Sequence, residues 1–306
     1  MGAVLVGFAI IGVVVAAGYV SARLGVGGPG ARTALNQVGF FVASPALLFT
    51  VLARADVAHL VQAPLAVAAV GALVSGAVLV AVDRLWLRLP APEATVGAVA
   101  SGYVNANNIG LPVAVYVLGD ATAVVPVILL QLLVLAPLTL LVLDATTSGR
   151  VSWRLVIAQP VRNPIILGSA AGAVVSVAGW TPPTAVMAPL EILGGAAVPV
   201  ILLAFGMSLH GSRPLRRGEA RAAVWVASAV KLVVMPLVVL VVARFAFGLD
   251  DAAVASAVTL AALPTAQNVY NYAARFGRGE ILARDTILVT TAGSPVALLV
   301  VALLLA

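Results

Sequence analysis

The 306 residues are 62% hydrophobic and 9% charged, with a mean hydropathy of +1.15. Soluble domains carry roughly a quarter charged residues, so a water-soluble globule is excluded. The formal charge of +6, in so apolar a chain, points to basic loops between membrane spans and not to nucleic-acid binding. Cys is absent and His occurs twice, as His59 and His210 in connecting segments, so disulfides, thiolate chemistry, a metal centre and a cofactor are not expected.

A span needs roughly 20 apolar residues to cross a hydrocarbon core of about 30 Å. Ten stretches qualify in chain order: 3–22, 33–53, 63–86, 94–118, 121–144, 161–180, 185–209, 221–247, 252–276 and 284–305. Lipid offers no partner to backbone N–H and C=O groups, so these spans are expected as helices. The alternating polarity of barrel strands is absent. The first span has no basic residue before Arg23 and is longer than a signal sequence, so it is expected to stay in place. Val6 occupies the Ser/Thr position of a myristoylation signal, which argues against lipidation.

With the N-terminus outside, fourteen of the 17 basic residues fall in inner loops or beside them, from Arg23 and Arg32 through Arg150 and Arg154 to Arg284. Only Arg54 and Arg244 face outward, and Lys231 lies within span 8. Positive charge is retained on the cytoplasmic side of short loops. The expected protein is a multi-pass protein of the cytoplasmic membrane with both termini outside.

Five spans per half require the second half to enter the membrane in the opposite sense, and faint self-similarity fits this. Pro45 matches Pro199, Leu118-Gly119 matches Phe276-Gly277, and Pro137 matches Pro295, at offsets of about 154 to 158. The expected organisation is a first five-helix repeat over 1–145, a short cytoplasmic connector over 146–160 and a second, inverted repeat over 161–306.

Spans 4 and 9 are interrupted. Asn105, Asn107, Asn108, Gly110 and Pro112 crowd the middle of the first; Pro264, Thr265, Gln267 and Asn268 crowd the second. Proline removes an N–H and collides with the carbonyl four residues back. Buried amides need partners that lipid cannot supply. Interrupted spans at corresponding places of two halves point to a mid-membrane binding site. A helix restarting at Pro112 or Pro264 would offer its leading N–H groups and positive dipole end to an anion such as a carboxylate. A proline kink whose asparagines bond to neighbouring helices is the competing structural reading.

The stretch N-A-N-N-I-G-L-P-V-A-V-Y-V-L-G, Asn105 to Gly119, and the stretch L-P-T-A-Q-N-V-Y-N-Y-A-A-R-F-G, Leu263 to Gly277, resemble the two broken-helix signatures of the auxin efflux carrier family, which includes the plant PIN auxin exporters. The segment from Asp285 to Pro295 is also similar to that family's last helix. The resemblance implies an all-α fold of ten transmembrane helices in two inverted five-helix repeats, like bile-acid symporters and sodium/proton antiporters. It implies a scaffold of helices 1, 2, 6 and 7, through which a homodimer forms. Helices 3–5 and 8–10 would move as the transport domain in an elevator mechanism. Pro112 and Pro264 would mark the crossover, with Asn105, Asn108 and Asn268 binding a substrate carboxylate. The long cytoplasmic loop of the plant proteins is missing here, so control through that loop is not expected, nor auxin as substrate.

Lys231, ten residues into span 8, is a candidate counter-charge or a partner within the moving domain, against the alternative of snorkelling. Glu191 near the end of span 7 reads either as a site residue or as an interfacial one. Gln131, Thr290, Thr291 and Ser294 are further cavity candidates, or helix-packing groups. The acids fall near span ends, so uniport of a small mono- or dicarboxylate is favoured over sodium- or proton-coupled symport. A ligand sensor on the same fold is the third reading. An intramembrane enzyme would need a nucleophile–base or paired-acid arrangement at depth, and the spans hold none.

Overall fold

The computed structural model describes residues 2–55, 63–148, 163–210 and 221–305. His59, residues 149–160 of the expected connector, and Arg150, Arg154, Arg162, Arg213, Arg216 and Arg217 lie outside the described residues. Twelve helices are described: α1 Gly2–Arg23, α2 Ala31–Leu52, α3 Ala63–Leu87, α4 Ala91–Gly102, α5 Ala106–Leu118 and α6 Ala121–Thr147; then α7 Pro164–Val177, α8 Thr184–Leu209, α9 Arg221–Ala246, α10 Asp251–Ala261, α11 Asn268–Phe276 and α12 Glu280–Leu305. Six of them, α2, α3, α6, α8, α9 and α12, are long and apolar enough to cross a membrane. Among the described residues there is no strand beyond one isolated bridge. The chain is a multi-pass helical membrane protein.

The helix ends follow from local chemistry. The Asn163 side chain accepts the Ile165 N–H at 3.0 Å at the head of α7, and Asp250 accepts the Ala253 N–H at 2.8 Å at the head of α10. α5 and α11 both stop at a glycine in the left-handed conformation, Gly119 with φ of 72° and Gly277 with φ of 61°, which a side chain would disfavour.

The chain divides into two compact units. One holds α1, α2, α5 from Asn107, α7 and α8. In it α1 packs on α8 and α2 on α7, at distances only glycine permits. A Cβ at Gly206 would lie 2.0 Å from the Val15 carbonyl oxygen, and one at Gly168 would lie 2.6 Å from that of Pro45. Small residues let helix backbones touch where no hydrophobic force separates helix from lipid. The other unit holds α3, α4, α6 from Pro126, and α9 to α12. Its packing runs from α4 onto α3 and α6, and from α12 onto α9 and α10.

The spans expected over 94–118 and 252–276 are each two helices with extended backbone between them. The restarts, however, are at Ala106 and Asn268, not at the prolines. Pro112 sits inside α5, in a single α-turn between the wider π-turns Ala106–Gly110 and Ala114–Leu118. The wide turns absorb the missing N–H and the ring, so the helix continues through the proline. Gly206→Val should lower the stability of the purified protein by about 3 kcal/mol, read as a fall in the thermal midpoint. Gly195→Ala, whose added Cβ meets nothing within 4 Å, should leave it unchanged.

Candidate functional site

Two extended stretches in the α3–α4–α6–α9–α12 unit lie side by side. One, Tyr103 to Asn105, follows α4; the other, Pro264 to Ala266, lies between α10 and α11. They run antiparallel, with Val104 bridged to Thr265. The Asn105 N–H donates to the Pro264 carbonyl at 2.8 Å, and the Ala266 N–H donates to the Tyr103 carbonyl at 3.0 Å. Irregular backbone within a membrane protein survives only where its polar groups are met by protein, and each stretch here serves the other.

Side chains complete the bonding. Gln131 of α6 donates its amide to the Val104 carbonyl at 2.8 Å, and the Thr290 hydroxyl of α12 accepts the Thr265 N–H at 3.1 Å. The Thr265 hydroxyl donates to the Ala100 carbonyl at 2.7 Å, near the end of α4. Two of the groups that reach the crossing sit in π-turns, Gln131 in Gln131–Leu135 and Lys231 in Val230–Val234. Such turns recur at functional positions.

The C-terminal end of α10 is met by a lysine. Lys231 is fully buried and donates from Nζ to the Ala261 carbonyl at 2.6 Å, while the Ser294 hydroxyl donates to the Ala262 carbonyl at 3.2 Å. The last carbonyls of a helix lack intrahelical partners and carry the negative end of its dipole. An amine donor suits that end. Lys231 therefore does not snorkel to the membrane surface; it holds the broken helix open from inside.

Of the residues singled out by sequence, Asn105, Pro264, Thr265, Gln131, Ser294 and Lys231 are all buried, and all sit on the crossing strands or bond to their neighbours. Gln267 and Asn268 are half-buried and open α11. Thr291 is half-buried on α12, next to Thr290. Asn107 and Asn108, half-buried, belong to the other unit, where the Asn107 amide donates to Asn108 Oδ1 at 3.0 Å. Gly110 and Pro112 are buried within α5 of that unit. Glu191 is exposed on α8 and ion-paired with Arg54, as an interfacial residue would be.

Among the groups the sequence reading missed are Tyr103 and the burial of two acids, Asp83 and Asp285. The Tyr103 hydroxyl donates to the Gln131 carbonyl at 3.3 Å, and its ring meets Tyr272 edge-on with centroids 6.2 Å apart. A tyrosine directly before an interrupted helix was the available signal, since a buried phenol needs an acceptor. Asp83 and Asp285 lie near helix ends, as expected, yet each is only 2% exposed. Asp83 accepts the Leu89 N–H at 2.8 Å, and Asp285 pairs with Arg284 at 2.8 Å.

Lys231→Met should destabilise the protein by about 1–3 kcal/mol by leaving the Ala261 carbonyl without its donor. Thermal unfolding measures this, and Lys231→Arg should recover part of the loss.

The family model described as "Membrane transport protein" matches residues 3–150 and 148–302. The chain is 32% identical over 283 residues to a protein of Rhizobium meliloti (strain 1021) named "Putative malonate transporter", covering 90% of this chain and 87% of that one. It is 29% identical over 229 residues to an "Uncharacterized transporter" of Methanothermobacter thermautotrophicus (strain Delta H), covering 74% and 73%. With both halves matched, and with the two signatures forming the paired crossing, the chain belongs to the membrane transport protein family, that of the auxin efflux carriers.

Proposed function

We propose that this protein is a secondary carrier that moves a small organic anion, a mono- or dicarboxylate, across the cytoplasmic membrane by alternating access. The observation that carries the reading is the crossing itself, with Asn105 ahead of α5 and Asn268 at the head of α11. Asn105 and Asn268 belong to the same unit, and both side-chain amides can donate to a carboxylate. The relative from Rhizobium meliloti is named for malonate, a dicarboxylate, which supports the substrate class.

The division into units supports the mechanism. Spans 1, 2, 6 and 7 fall in one unit, the proposed scaffold, together with the second half of span 4 and the start of span 5; spans 3, 8, 9 and 10, the first half of span 4 and the rest of span 5 fall in the other. Movement of the second unit would carry the crossing with it. The inverted repeat is supported by matched detail: each break is followed by a short helix closing on a left-handed glycine. Each is also held by one side chain from the following long helix, Gln131 in one half and Thr290 in the other.

Uniport is the proposed energetics. Among the described residues Asp83 and Asp285 are buried, but they lie in the last turn of α3 and the second turn of α12, and no carboxylate sits mid-helix at the crossing. In proteoliposomes the protein should take up radiolabelled malonate saturably. Asn105→Ala and Asn268→Ala should each raise the half-saturating concentration about tenfold or more, the weight of one hydrogen bond to a charged group. Parental uptake by both variants would refute the site. With the membrane potential clamped, a protonophore should leave uptake unchanged, whereas collapse would establish proton coupling.

A further inference from the structure

A cavity of about 440 Å³ lies within a single unit, between α3, α4 and α6, and meets the crossing only at Tyr103. One end is marked by Arg84, Ala91 and Thr146, the other by Ala72, Tyr103 and Leu135. Twelve residues of α3 separate Arg84 from Ala72, which is about 18 Å along a helix. That is close to the depth of one leaflet, about 15 Å of a hydrocarbon core of about 30 Å. Leu73, Val80 and Leu138 line the cavity and are 57%, 38% and 46% exposed, so its side is open to the bilayer.

Its lining is hydrocarbon almost throughout. The three threonines that face it each donate back to a carbonyl of their own helix: Thr95 to Ala91 at 2.8 Å, Thr139 to Leu135 at 2.6 Å and Thr146 to Val142 at 2.7 Å. They therefore bring methyl groups and spent hydroxyl donors. The charge is confined to one end. Arg84 is exposed in the last turn of α3 and makes no salt bridge among the described residues. The neighbouring Asp83 is buried and turned onto the Leu89 N–H, so it leaves that cation uncompensated. Trp86, 67% exposed, lies at the same end of α3, where aromatic residues mark the headgroup level.

We propose that this cavity is a site for an anionic glycerophospholipid, with one acyl chain lying along α3, α4 and α6 and the phosphate on Arg84. A basic residue at the mouth of an intramembrane groove is the arrangement that selects anionic headgroups. The buried end of the chain would reach Tyr103, which opens the crossing segment. Such a lipid would thus touch the moving unit without entering the anion site.

The test is native mass spectrometry of the full-length protein, purified in detergent and offered equimolar dioleoyl phosphatidylglycerol and dioleoyl phosphatidylcholine. The parent should retain one phosphatidylglycerol per chain, preferred roughly fivefold, the weight of one basic residue at a headgroup. Arg84→Gln, a change at an exposed helix end, should bring the two lipids to parity. Ala98→Phe, which fills the cavity, should lose the retained lipid. Parity in the parent, or a preference surviving in Arg84→Gln, would overturn the site. Displacement of phosphatidylglycerol by excess malonate would overturn it as well, by giving the cavity to the transported anion. The outcome is separate from the uptake measurement, because lipid retention needs no transport.

Discussion

A backbone that leaves helical geometry inside a membrane must find every hydrogen-bond partner within the protein, and the α3–α4–α6–α9–α12 unit is arranged around that requirement. Tyr103–Asn105 and Pro264–Ala266 would each be unsustainable alone. Laid antiparallel, they exchange backbone bonds, and the remaining groups are met by Gln131, Thr265, Thr290, Ser294 and Lys231. The polar residues of this unit's interior are therefore mostly structural at first glance. The same crossing keeps Asn105 and the head of α11 within one unit.

Lys231 shows how one residue type can mislead and then inform. An ammonium deep in a span suggests an anion counter-charge. Its nearest acceptor is instead the carbonyl end of α10, where its Nζ donates to an orphan acceptor. The first half has no matching lysine in span 3. The two halves thus secure their breaks differently, one with an amide from Gln131, the other with hydroxyls and the Lys231 amine.

The broken spans were legible because asparagine, glycine and proline at mid-span violate what a lipid-exposed helix tolerates, and nothing else in the chain does so twice. The point of breakage was less legible. Proline announces that a helix hydrogen bond is missing, but not whether the helix ends or widens. At Pro112 it widens, with π-turns on either side; at Pro264 it ends. Burial of Asp83 and Asp285 was likewise hidden, because distance from a span end measures depth along the helix and says nothing of which neighbours cover the side chain.

Composition and spacing by themselves established a polytopic helical membrane protein, two interrupted spans, and the residues that interrupt them. Those are properties of the chain against its solvent: lipid penalises charge, open backbone and amides wherever they occur, so their placement can be read in one dimension. Which groups satisfy one another was decided only in three dimensions. Val104 meets Thr265 across more than 150 residues, and Lys231 reaches the end of α10 from another helix. Hydrogen bonding is directional and short-ranged, so its partners are set by how the helices pack.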